Sequence, residues 1–403
     1  MLNDYLPNEL LKEELVKRDY LLSKIEKDDS WKGGPLIVPF KAAGASSVAF
    51  GSLTAEDDIA EDKFVRGQVD NQVEVWGSMI FNHRDLMEHD MISEQNFLKI
   101  LPGAVEDFMD YLKNVVSTNL LNGAHFAKLT AAVSANTGNI VVDHPDRFVI
   151  GQKVKLVDGS SDITGYVKTI NMNTKTVNLV TTRGGSTVLD FSGAEALDVG
   201  AKAYNVGADS TSFSSLREAL LSSANGGTST LYGQTKTAYP YLQAINVDGS
   251  SVTASNILEK IFDAFVTIRT LGKGNPTSVI MSYTNWASAL KVVEASKGSF
   301  NVTPGSQSAS QYGWSEIQIG GIKGTLSLVA VQECDDDVIK FVDWRALKFH
   351  SNGFFRKRKS PEGQEYYEIR ATTGYQYIID VCLFGEMVVI RPSYCGIMYG
   401  ISY

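Results

Sequence analysis

The chain has 403 residues, of which 43% are hydrophobic and 21% charged. That balance belongs to a globular chain and excludes a disordered or collagen-like one. Its 37 basic and 46 acidic side chains leave a formal charge of -9, which argues against wrapping duplex nucleic acid, because neutralising phosphate takes surplus Lys and Arg. A local basic patch stays open.

The start, MLNDYLPNELLKEELVKRD, has no basic stretch followed by an apolar core, so no secretory signal is read. No segment approaches the ~18 uncharged apolar residues of a membrane span. The best candidate, Tyr375 to Ile390, is broken by Asp380 and Glu386. Cys334, Cys382 and Cys395 have no metal or redox spacing and are expected as reduced core residues of a chain folded in a cytosol.

Residues 1–30 read as an amphipathic arm with Leu11, Leu15, Leu22 and Ile25 on one helical face. So short a helix must lie on its own domain or on a neighbour. Pro35 to Phe40 and Phe64 to Ile80 read as strands around a small-residue, weakly apolar tip, the pattern of a projecting hairpin. An acid cluster, Glu56, Asp57, Asp58, Glu61 and Asp62, lies within it. Residues 103–122 keep Val105, Phe108, Met109, Leu112, Val115 and Val116 on one face and predict a helix stopped by Gly123. Pro102 marks either its start or a kink in a helix beginning near Ser93. Residues 128–207 show short strands and polar turns at regular spacing, which predict an inserted all-β domain, a small barrel or sandwich. Beyond it, Ile257 to Leu271 predicts a helix closed by Gly272, Ser278 to Ser282 a buried strand, and Asn285 to Ser296 a helix capped by Thr284. Leu326 to Val331 and Val338 to Val342 are expected to flank an exposed acidic hairpin turn at residues 333–337, and the chain ends in apolar strands.

Catalytic signatures are not found: there is no GxSxG elbow, phosphate loop, GxGxxG or HExxH. Gly272-Lys273-Gly274 reads as a helix stop and turn. The His83 to Asp90 group matches no metal-site spacing, and Asp335, Asp336 and Asp337 lack the alternating ligands of a calcium loop. No catalytic residue, metal or cofactor is therefore expected. Arg356-Lys357-Arg358-Lys359 is the sharpest charge feature: between Lys340 and Arg370 eight basic residues face four acids. It reads as a solvated hairpin tip, or as a contact with nucleic acid or with an acidic neighbour.

The order of parts resembles the major capsid proteins of tailed bacteriophages, whose Hong Kong 97-type fold is shared with encapsulins. The resemblance rests on Pro35 to Ile80, Val105 to Leu121, Asn256 to Ala295, and Phe341 to Tyr403 with its FHSNGFFRKRK and EYYEIRATTGYQYIID runs. It implies an α+β fold with an N-terminal arm over 1–33, an extended loop over 34–82 and a peripheral domain with a spine helix over 83–127. The inserted β-barrel follows over 128–207, an axial domain over 208–325, peripheral hairpins over 326–373 and an axial C-terminal part over 374–403. One branch of this fold joins Lys and Asn side chains covalently; Lys41 and Asn352 have those types, but nothing in the sequence brings them together.

The same resemblance implies hexamers and pentamers of this chain tiling an icosahedral virion shell around DNA that it touches weakly. Separate scaffold and portal proteins are expected, a decoration protein is left open, and no membrane is involved. The arm and loop are expected to lie across neighbouring copies. Glu56, Asp57, Asp58, Glu61 and Asp62 would then meet Arg356, Lys357, Arg358 and Lys359 of an adjacent copy. Three rivals stand beside this reading. The first is an encapsulin-type compartment. The second is a carbohydrate-binding or adhesion protein using residues 128–207, although Phe148, Tyr166, Phe191 and Tyr204 are scattered there. The third is an enzyme, for which no acid–base pair is located.

Overall fold

The computed structural model describes residues 13, 15–17, 19–32, 34–70 apart from 44–62, 72–82, 94–134, 136–159, 161–295, 302–303, 316–321, 324–353, 355–358, 367–371 and 374–402. Chain contacts divide them into two compact units, Met1–Met109 with Leu216–Tyr403, and Asp110–Ser215.

Asp19 accepts the amide of Leu22 at 2.8 Å and so caps α1 (Tyr20–Lys24), after which the chain extends into β1 (Glu26–Asp28). The N-terminal arm is therefore not one continuous helix. Leu15, Leu22 and Ile25 are buried within the first unit, where the Tyr20 hydroxyl lies 3.3 Å from that of Ser278. This stretch lies on its own domain; Leu11 falls outside the described residues.

β2 (Leu36–Ala43) and β3 (Lys63–Val69) pair antiparallel. Their period of two turns Val38, Phe40 and Val69 inward and Ile37, Phe64 and Arg66 outward. β4 (Val73–Asn82) follows. The helix α2 (Glu94–Asn122) runs through Pro102-Gly103, so the helix starts at the earlier of the two expected positions. Met109, Leu112, Val116 and Leu120 keep its inner stripe buried, and Gly123, at φ 117°, ends it.

The second unit holds β5 (His125–Lys128), β6 (Asn139–Val141), β7 (Lys153–Asp158), β8 (Ser161–Asn171), β9 (Thr176–Val180) and β10 (Lys202–Asn205). They form one sheet in the order β5-β10-β7-β8-β9-β6. A bridge between Leu129 and Val142 joins the two ends of that order, closing the sheet on itself. Closure removes the free edges and encloses a core that includes Phe126, Phe148, Val154, Leu156, Val177, Leu179 and Phe191.

The first unit resumes with α3 (Leu216–Leu220), the two-residue strands β11 (Thr230–Leu231) and β12 (Gln234–Thr235), β13 (Ile245–Asp248), α4 (Ile257–Thr267), β14 (Ser278–Met281) and α5 (Tyr283–Ala295). β15 (Val302–Thr303), β16 (Glu316–Gly321), β17 (Gly324–Ala330), β18 (Val338–Val342), β19 (Leu347–His350), β20 (Phe355–Lys357), β21 (Tyr367–Ala371), β22 (Gly374–Val389) and β23 (Gly396–Tyr399) complete it. A seven-stranded sheet runs β13-β23-β18-β14-β17-β16-β15. α4 and α5 cover one face, packing Ile261, Phe265, Ala289 and Val293 over Val279, Met281, Leu328 and Phe341. A π-turn over Ile268–Gly272 ends α4. A Cβ on Gly272 would stand 2.1 Å from the Ser393 carbonyl oxygen, and one on Gly274 2.2 Å from that of Tyr394. Both glycines of the Gly-Lys-Gly run thus serve close backbone packing.

A second, six-stranded sheet is built on β22. β4 pairs with it from Asn82↔Gln376 to Val73↔Gly385. Its other edge takes β21, β20 and β19 in turn, and β1 adds to β19 in parallel.

Two expectations are corrected here, and two of the expected domain boundaries fall inside the observed sheets. The boundary at 325/326 cuts a single sheet, since β17 and β18 both lie beside β14. The boundary at 373/374 separates β22 from the hairpin strands it pairs with, so residues 374–389 belong to the six-stranded sheet and only β23 joins the other. The acidic segment 333–337 is not an exposed hairpin turn, because β14 separates β17 from β18. It arcs over the end of β14, where Arg217 donates to Asp337 at 2.7 and 2.9 Å and to Asp335 at 3.2 Å, and Glu333, Asp335 and Lys340 are buried. The α5 cap is Ser282, whose hydroxyl accepts the Asn285 amide at 3.3 Å, not Thr284. No described helix is long and apolar enough to cross a membrane.

The buried Lys236, just after β12, ties that strand's end to the end of α3, donating from Nζ to the carbonyls of Glu218 and Leu221 at 2.5 and 2.9 Å. Burial pushes its ammonium down from 10.5 to about 8. Between those values the unfolded chain holds a proton that the folded chain has lost, so this group's contribution to stability rises with pH across that window. Denaturant melts at pH 7.5 and 9.5 should therefore show a gain for the native chain, relative to Lys236→Met, at the higher pH; a constant difference between the two proteins would contradict this.

Candidate interaction surface

β22 and its neighbours place the basic run. Cross-strand partners share a face, and Arg356, Cys382 and Trp76 are successive partners across β20, β22 and β4. The same face carries Glu74, Ser78, Asp380 and Phe384. The opposite face holds Val73, Met79, Ile379, Val381, Leu383 and Phe355, all buried, and Gly77 there leaves the space taken by Phe108, whose Cζ would stand 2.7 Å from an added Cβ.

The alternation divides the Arg-Lys-Arg run. Arg356 is exposed and donates to Asn352 Oδ1 at 3.2 Å. It folds back over Gly353, at φ 79°, where any Cβ would meet its guanidinium. Lys357 points to the opposite face and is buried. Arg358 is exposed, pairs with Asp380 at 3.9 Å, and stands 5.8 Å from the centre of the Trp76 ring. Two of the basic residues therefore project outward, while Lys357 belongs to the interior. Lys340, counted within the basic region, is also fully buried and donates to Cys334 Sγ at 3.3 Å. Glu56, Asp57, Asp58, Glu61, Asp62 and Lys359 lie outside the described residues, as does the His83 to Asp90 group.

Around the two arginines the face is mixed rather than basic. Trp76 is 48% exposed, lies edge-on to Phe384 and donates to Glu74 Oε2 at 3.1 Å. Ser78 donates to Asp380 at 2.6 Å. Cys382 lies beneath, its thiol pushed up to about 12 by burial and by nearby Glu74, so it is not a reactive thiolate. A cavity of about 400 Å³ bounded by Asp70, Gln72, Glu74, Asn352, Arg356 and Phe384 adjoins the arginine. An exposed aromatic flanked by arginines and carboxylates can form a protein contact with charge-steered register. Sequence analysis missed Trp76, Glu74 and Asp380. The alternation Val73-Glu74-Val75-Trp76 carried the signal for the first two. Among the described residues no group of three metal-ligating side chains gathers.

No protein-family model and no curated protein sequence matches the chain. Among solved structures it is similar to the capsid asymmetric unit of cyanophage A-1(L), with a TM-score of 0.51 and 11% identity over 94% of this chain and 91% of that one. It is also similar to Mycobacterium phage Adephagia, at 0.44 and 8% over 94% and 89%, and to the capsid of a native GTA particle, at 0.44 and 9% over 95% and 90%. The first likeness fixes the architecture: the chain has the α+β, Hong Kong 97-type capsid fold.

The two faces of β20 should respond differently to charge reversal. Lys357→Glu should lower unfolding stability by about 3 kcal/mol or more, by replacing a buried cation with a buried anion. Arg356→Glu and Arg358→Glu should each cost no more than about 1 kcal/mol. Equal losses in urea titrations would contradict this division.

Proposed function

We propose that the chain is the major capsid protein of a tailed bacteriophage, assembling as hexamers and pentamers into an icosahedral shell around the DNA genome. The single observation that carries this reading is the fold, shared over nearly the whole length of both chains with a capsid subunit. Its role is structural rather than catalytic, and its place is the virion, after synthesis in the host cytoplasm with separate scaffold and portal proteins.

The described parts suit that role. The first unit encloses its own core, so a subunit can fold before it assembles. The β2–β3 hairpin leaves Ile37 and Phe64 55% and 63% exposed, apolar surface of the kind that assembly covers. Arg356 and Arg358 stand ready for an acidic partner, and the acid cluster from Glu56 to Asp62 of another copy supplies one. Each exposed pair is worth about 0–1 kcal/mol, so closure depends on many repeated contacts and weakens as salt rises. A net charge of -9 suits a container that must not grip its DNA. The domain division proposed from the sequence is retained with the two boundary changes given above.

Light scattering and negative-stain electron microscopy test this, on the chain expressed alone and with candidate scaffold proteins. Closed shells, or discrete pentamers and hexamers, are the expected products. The Arg356→Glu, Arg358→Glu double variant should remain folded and assemble poorly. A monomer that never assembles with any scaffold would overturn the proposal.

A further inference from the structure

The sequence holds the pair Asn-Gly three times, at residues 122–123, 225–226 and 352–353. Glycine has no Cβ to screen its backbone nitrogen, so that nitrogen can attack the carbonyl carbon of the preceding asparagine side chain and close a five-membered ring. The structure separates the three sites by what the nitrogen is already doing. Gly123 donates its N–H to the Asn119 carbonyl at 3.1 Å, and Gly226 to that of Ser223 at 3.3 Å. Asn122 is itself buried, and Asn225 Nδ2 donates to Asn246 Oδ1 at 3.4 Å. The N–H of Gly353 has no hydrogen-bond partner among the described residues, and Asn352 and Gly353 are both half-buried. They lie in the short connection from β19 to β20, which is held on both sides. Ser351 donates its amide to the Asp28 carbonyl at 2.8 Å and its hydroxyl to Asp29, and Phe355 is buried opposite Leu383.

Arg356 completes the site. Its guanidinium donates to Asn352 Oδ1 at 3.2 Å and lies over Gly353, where a Cβ would stand 2.5 Å from Nε. The cation draws charge from the side-chain carbonyl, stands where the oxyanion of ring closure develops, and favours loss of the Gly353 amide proton. We propose that Asn352-Gly353 is a self-modifying site, at which Asn352 deamidates with Arg356 as the activating group. The Gly353 nitrogen gives its proton to a solvent base and bonds to Cγ of Asn352; the Cγ–Nδ2 bond breaks and ammonia leaves, giving a succinimide. Water then opens the ring, at Cγ to leave aspartate or at the main-chain carbonyl to leave isoaspartate. The sum is water consumed, ammonia released and a neutral amide turned into a carboxylate beside Arg356, where a charge-assisted hydrogen bond holds it. The chemistry does not rest on the shell reading. Under that reading the new carboxylate competes with an acidic neighbour for Arg356, so the contact face weakens as the protein ages.

The test is to incubate the folded, full-length chain at mildly alkaline pH, digest samples with pepsin at acidic pH, and follow each Asn-Gly peptide by mass spectrometry, with isoaspartate separated from aspartate by chromatography. Asn352 should convert about tenfold or more faster than Asn122 and Asn225, whose glycine amides must first give up a hydrogen bond and, at Asn122, a buried helix end must open. Arg356→Met keeps the length of the side chain and removes the cation and the donor. It should slow conversion at Asn352 by about 3- to 10-fold, the rate equivalent of one hydrogen bond. In concentrated urea the fold no longer distinguishes the sites, so all three should convert at similar rates and Arg356→Met should change nothing. Conversion of Asn352 no faster than that of the other two in the folded chain, or an unchanged or faster rate in folded Arg356→Met, would overturn the proposal. None of these readouts involves assembly, so the shell reading stands or falls separately.

Discussion

The first unit depends on one long strand. β22 runs for 16 residues and binds β4 along one edge while β21, β20 and β19 succeed one another along the other. Antiparallel pairing fixes which residue faces which side. A slip of one residue would exchange the faces of the sheet, sending Trp76 and Arg356 into the interior and Val381 and Leu383 into water. The apolar face of β22, packed partly against Phe108 through the gap left by Gly77, therefore determines where the charged face lies. It also fixes where the hairpin ends, because β3 leads into β4 after a short connection. Phe40 of the hairpin stacks on Tyr232 at 5.8 Å between ring centres. The Tyr232 hydroxyl in turn donates to the Met387 carbonyl and accepts the Val389 amide, so the hairpin base is anchored to the end of β22.

Much of this architecture was legible because it is periodic. The stripe from Met109 to Leu120, the strands of residues 153–180 and the helix from Ile257 are local patterns, and local patterns survive in sequence. Pairings between distant segments do not. Nothing local reveals that β14 inserts between β17 and β18, so the acids at 333–337 read as a hairpin turn when they cross the end of β14 and Asp335 and Asp337 pair with Arg217. The basic run misled for a related reason. Four consecutive cations read as one solvated tip, yet a strand alternates, and Lys357 takes the interior side. The sequence also left open whether the N-terminal helix rests on its own domain or a neighbour; the contact between the Tyr20 and Ser278 hydroxyls joins residues 258 positions apart.

The charged groups fall into two classes with different consequences. Arg217, Asp335 and Asp337 form a partly buried network that holds a crossover in place, where loss of one partner leaves an uncompensated charge. Arg356, Arg358, Asp380 and Glu74 lie on a face that costs little to alter in the isolated subunit and is available to a partner. Under the proposed function, this separation would let a subunit fold before it assembles, with its surface chemistry setting partner choice. The exposed arginines of this acidic chain stand among carboxylates and beside a tryptophan, so the face is mixed rather than basic.

Hydrogen–deuterium exchange of the unassembled full-length chain tests the role of β22 most directly. If β22 organises the first unit, amides of residues 376–385 and their β4 partners 73–82 should be among the slowest to exchange and should be released together under mild denaturant. Rapid exchange of β4, with β22 still protected, would mean that the hairpin side is not held by this strand and would contradict the account.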